Sequence, residues 1–75
     1  MDNVTKLAKL IGATLGLFPN QVKALLLKNK VIIDSNISNK EMLSYTLDAL
    51  DKTPSFFKDF EKLFNDNEQT ILKNI

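Results

Sequence analysis

The six residues Ile37-Ser38-Asn39-Lys40-Glu41-Met42 set a helix start almost to the residue. A Ser followed three positions later by a Glu forms a capping box. Each side chain accepts a hydrogen bond from the other residue's free backbone N–H, and Ile37 and Met42 take the flanking staple positions. The spacing predicts a helix from Asn39 to about Asp51. Its buried face would carry Met42, Leu43, Thr46, Leu47, Ala49 and Leu50, and its wet face Lys40, Glu41, Ser44, Asp48 and Asp51.

Two prolines divide the rest of the chain. Proline disfavours helical geometry in the residue before it and suits the first position of a new helix. Phe18-Pro19 therefore predicts a helix from Pro19 to about Asn29. Thr53-Pro54 predicts another from Pro54 onward, with Thr53 as its cap.

Upstream, a first helix is expected from Asn3 to Leu17, capped by Asp2 or Asn3. Val4, Leu7, Leu10, Ile11, Leu15, Leu17 and Phe18 fill a broad face at helical period, and Lys6 and Lys9 lie opposite. Ala8, Gly12 and Gly16 follow one another along one edge of that face. Two interior glycines cost ~1 kcal/mol each, so this edge reads as a small-residue ridge against which another helix packs closely. Gly16 as a helix terminator is the alternative. The apolar run Leu10–Phe18 is only nine residues long, too short to cross a bilayer, which argues against a membrane dimerisation motif.

The second helix spreads Val22, Ala24, Leu25, Leu26 and Leu27 around most of its circumference. Val31-Ile32-Ile33 favours extended backbone, yet no second strand pattern exists for it to pair with. It reads as a connector with its side chains in the core. Pairing with a strand of another molecule and continuation of the second helix are the alternatives. The fourth helix places Phe56, Phe57, Phe60, Leu63 and Phe64 on one narrow face. Asn65-Asp66-Asn67 is expected to break it, with Asn67 capping a short fifth helix; the alternative is a stripe continuing through Ile71 and Ile75.

The chemistry on offer is limited. The 75 residues include neither Cys nor His, which removes disulfides, thiol nucleophiles, imidazole bases and the usual zinc and haem sites. Asp59 and Glu61 stand two apart, so they point to different sides of a helix. The acidic residues between Asp34 and Glu41 lack EF-hand spacing. An enzyme is not expected, nor a cofactor.

Net charge is +1, unevenly spread: five Lys and one Asp in residues 1–30, five Lys and eight acids in residues 31–75. That polarity suits contact with other subunits or an acidic partner. All ten basic residues are Lys. The absence of Arg weakens base-specific nucleic-acid reading, although Lys-mediated, non-specific binding or a helix-turn-helix regulator is the second choice. In the latter the third helix would read DNA, and Glu41, Asp48 and Asp51 would oppose its phosphates. A first helix lying on a membrane surface is a further option, less favoured than a core-facing one. No signal peptide or spanning segment is recognisable, so the cytoplasm or a virus particle is the expected location.

The segment Leu7-Ala-Lys-Leu-Ile-Gly-Ala-Thr-Leu-Gly16 resembles the first helix of acyl carrier proteins. Asp34-Ser35 is similar to the start of their Asp-Ser-Leu attachment motif, which implies Ser35 as the phosphopantetheine position. Asn36 stands where that motif has Leu, a helix fills the family's first loop, and its strongly acidic second helix is missing. No family is assigned on this ground.

The expectation is therefore one all-α domain, a small irregular or orthogonal bundle of four to five helices with an extended connector near residues 31–37. Its surplus of apolar faces points to a structural or adaptor protein docking onto other protein chains as a homo- or hetero-oligomer, for instance as a minor virion component. The candidate contact residues are Ala8, Gly12, Gly16, Leu27, Phe56, Phe57, Phe60 and Phe64.

Overall fold

Five helices make up most of residues 3–75, the residues described by the computed structural model (the Val4 side chain excepted). They are α1 (Asn3–Leu17), α2 (Pro19–Lys28), α3 (Asn39–Lys52), α4 (Pro54–Asp66) and α5 (Glu68–Leu72), and among the described residues there is no strand. The all-α expectation holds, with the chain broken near residue 67. Asp2, one of the two caps expected for α1, lies outside the described residues, and Asn3 is already helical.

Two of the helix joints are single residues that precede a proline. The Phe18 N–H donates to the Thr14 carbonyl at 2.8 Å, and its own carbonyl accepts from the Val22 N–H at 3.1 Å. Thr53 repeats the arrangement between Ala49 (2.8 Å) and Phe57 (3.0 Å). One residue thus closes one helix and opens the next, and the chain turns through 100° between α1 and α2. The expected Thr53 and Asn67 side-chain caps are absent: neither side chain accepts from the helix that follows it. The Asn67 amide instead donates backwards to the Leu63 carbonyl at 2.9 Å, bonding the joint residue onto α4. The Ser38 box forms as expected. Its N–H donates to Glu41 Oε1 at 2.9 Å, and the Glu41 N–H donates to Ser38 Oγ at 3.1 Å.

α2 ends in a Schellman motif. The Val31 N–H reaches the Leu26 carbonyl at 2.9 Å and the Lys30 N–H the Leu27 carbonyl at 3.1 Å. Lys30 sits in the left-handed region at φ 58°, the position where glycine is usual. Gly16, by contrast, is inside α1, which continues through Leu17, so it terminates nothing.

The core is built around α4. Phe56 and Phe60, with ring centroids 5.8 Å apart, are buried against Val22 and Leu26 of α2, Met42 and Ala49 of α3, and Ile11 and Leu15 of α1. Ile32 joins them from the connector, while its neighbour Ile33 is 96% exposed. The connector, expected to be extended, instead bends at Val31, Ile33 and Ser35, so it contributes only part of its apolar residues to the core.

Two further expectations about packing are corrected, and a buried Thr14 is added to the core side of α1. Leu7 and Leu17 of α1 and Leu43 and Leu47 of α3 are exposed rather than buried. Thr14 takes the core side of α1, donating from Oγ1 to the Leu10 carbonyl at 2.7 Å. The ridge Ala8–Gly12–Gly16 faces open space, and a Cβ added at either glycine would meet no heavy atom within 4 Å.

Candidate docking surface

The wall of α1 that faces α4 borders a groove of about 210 Å³. Leu7, Leu10 and Ile11 form one side, Phe57 and Phe64 the other, and Phe60 and Leu50 close its base; Glu61 is the one charged residue lining it. Leu10 also belongs to an adjoining groove between α1 and the C-terminal segment, with Leu72, Ile75, Lys6 and Lys9. The two depressions form a continuous apolar strip, with large side chains standing open along it. Leu7 is 56% exposed, Phe57 46%, Leu72 51% and Ile75 54%.

The strip owes its exposure to the angles at the joints. The break at Asn67 turns α5 back onto α1, which buries Ile71 completely and leaves Leu72 and Ile75 on the outer side. α4 is anchored on its other flank by a polar clasp. The Asn29 amide donates to the Leu25 carbonyl at 2.9 Å and to Asp59 Oδ2 at 3.0 Å, and Lys28 Nζ approaches the same oxygen at 3.2 Å. The Asn29 hydrogen bond, then the Lys28 contact, holds the Asp59 carboxyl below the usual aspartate range. This clasp ties α2 to α4 on the flank away from Phe57, while Phe56 and Phe60 hold α4 in the core.

A second depression lies on the opposite wall of α1. Gly12, Gly16, Leu15 and Pro19 face Asn39, Met42 and Leu43 across about 280 Å³. Gly12 and Gly16 therefore line an open groove, and the ridge is not a seam inside the bundle.

The candidate contact residues divide accordingly. Phe56 and Phe60 belong to the core, Phe60 showing only its edge at the base of the first groove. Phe57 and the half-buried Phe64 line the strip; Gly12 and Gly16 line the second groove. Ala8 and Leu27 are exposed but line neither. Leu7, Leu72 and Ile75 were not among the candidates. For Leu7 the periodicity pointed to the core face, and only the fold places the C-terminal apolar residues beside it.

Electrostatics elsewhere are those of a solvated surface. Lys52 pairs with Asp48 and Lys62 with Asp66, both at 2.9 Å and both i, i+4 pairs. Each raises its lysine's pKa by a hydrogen bond to the carboxylate. Ser35 lies exposed in the connector, four residues before α3. Among the described residues no three acidic side chains gather around a point that could hold a metal ion, and no single helix is long and apolar enough to cross a membrane. Comparison of the chain with known protein families, with curated proteins and with solved structures gave no match.

Proposed function

We propose that this chain is a non-enzymatic helical adaptor, a small subunit that docks onto other protein chains through the α1–α4–α5 face. The observation carrying this reading is the strip of Leu7, Leu10, Phe57, Phe64, Leu72 and Ile75, half-open side chains contiguous across three helices. Isolated apolar residues on a surface are ordinary, whereas a contiguous patch bounded by charge marks an interaction site. A virus particle or another large assembly is a setting that fits so small a subunit. The nucleic-acid reading gains no specific support: Lys28, Lys52 and Lys62 are paired with carboxylates, and Glu41, Asp48 and Asp51 are exposed on α3.

The test is the size of the chain in native extract of the cells that make it. Wild-type chain is expected to elute with a heavier complex. Leu7→Asp and Phe57→Asp, at half-open positions where the helical circular dichroism is expected to be unchanged, are expected to elute alone. A heavy peak that survives both substitutions, or a wild-type chain that elutes alone, overturns the reading.

A further inference from the structure

We infer that the occupant of this strip is a second copy of the same chain, related by a two-fold axis that passes near Leu10. The inference rests on the docking reading above and names its partner.

The strip has two unlike sides. Leu10 is common to both depressions, with the groove between α1 and α4 on one side and the half-exposed Leu72 and Ile75 on the other. Rotation by a half-turn about a point near Leu10 exchanges the two sides. Leu72 and Ile75 of one copy then lie over the partner's groove beside Leu7 and Phe57, and the partner's pair does the same in return. This is the reciprocal pairing an isologous interface requires.

Charge follows the same symmetry. The groove between α1 and α4 carries the acid Glu61, and the C-terminal side carries Lys6 and Lys9. The half-turn that seats Leu72 and Ile75 also brings Lys6 of each copy to Glu61 of the other. An anionic lipid surface is the less suitable occupant, because Glu61 would face it across the same strip.

The experiment is sedimentation equilibrium of the full chain over a concentration series, with Lys6→Glu, Glu61→Lys and their equimolar mixture. Wild type is expected to follow a monomer–dimer equilibrium. Each single reversal sets like charges together twice per dimer and is expected to weaken association about tenfold or more. Mixing the two variants places opposite charges at both contacts again, so the mixture is expected to associate as wild type does. Both residues are exposed on helix surfaces, and unchanged circular dichroism verifies that the variants are folded.

A wild-type chain that stays monomeric, or a dimer indifferent to both reversals, overturns the inference. So does a monomer that floats with phosphatidylserine vesicles and loses them on Lys6→Glu, which would assign the strip to a lipid surface. If the purified chain is monomeric while Leu7→Asp still dissolves the heavier complex in extract, the second copy is wrong and the docking reading stands. If both fail, both fall.

Discussion

Two buried threonines show how differently one side chain can be accommodated. Thr14 Oγ1 donates to the Leu10 carbonyl, whereas Thr46 Oγ1 is buried with no hydrogen-bond partner. A buried hydroxyl without a partner forfeits its hydration and gains nothing in exchange. Thr46→Val keeps the shape and removes the unpaired oxygen, and is expected to stabilise the chain by about 1 kcal/mol, on the order of 4–8 °C in melting temperature. Thr14→Val loses a made hydrogen bond and is expected to cost about 0.5–1.5 kcal/mol. Thermal melts of the pair decide the matter: equal effects would show that the Thr46 hydroxyl is satisfied in solution. Lys30 offers a comparison in backbone terms. A non-glycine residue in the left-handed region costs roughly 1–2 kcal/mol. Lys30→Gly, net of the freedom glycine adds to the unfolded chain, is expected to raise stability by about 0.5–1 kcal/mol in urea denaturation. A loss of stability would mean that the lysine side chain, not the backbone, matters there. Nothing local in "Asn29-Lys30-Val31" signals this conformation, because the usual sign is a glycine.

At the scale of the element, legibility tracks how local the cause is. Proline restricts its neighbour's backbone, and Ser38 and Glu41 bond within one turn, so the starts of α2, α3 and α4 could be read from a few residues. The inward side of a helix is decided by what packs on it. α1 carries apolar residues over so broad an arc that its core side depends on where α2 and α5 arrive. The observed arrangement buries Ile11, Thr14 and Leu15 and leaves Leu7 and Leu17 out. The same dependence defeats the reading of Gly12 and Gly16 as an internal seam, since the depression between α1 and the start of α3 stays open. Both glycines are helical and unobstructed, so Gly12→Ala and Gly16→Ala are each expected to stabilise the isolated chain by about 0.5–1 kcal/mol. They lie on the opposite wall of α1 from the strip, so dimer mass in sedimentation is expected to be unchanged. Destabilisation by alanine in chemical denaturation would show that something in solution packs on that wall.

At the scale of the whole molecule, the absence of His and Cys leaves no side chain of ordinary pKa titrating between about pH 5 and 9. The resolved shifts lie outside that interval and act at its two edges. Asp59 is held below the usual carboxylate range by Asn29 and then Lys28, and Glu41 by the Ser38 backbone N–H and then its hydroxyl. A carboxylate whose folded-state pKa is depressed contributes stability in full above its unfolded value. That contribution is lost as pH falls through the folded value. Lys52 and Lys62 are raised by Asp48 and Asp66, so theirs is present below the unfolded lysine value and lost only above it. Melting temperature is therefore expected to be flat from about pH 5 to 9 and to decline below about pH 4. The clasp between α2 and α4 makes the acid limb specific. Asp59→Asn removes the ionised acceptor shared by Asn29 and Lys28, and is expected to lower the midpoint at pH 7. In acid the wild type's own Asp59 is protonated, so the gap between the two proteins should narrow as pH falls. A gap that stays constant to the lowest pH would show that the clasp acts through shape and not through charge. A gap that narrows would tie the position of α4, and with it the Phe57 wall of the strip, to one ionised carboxylate on the far side of the bundle.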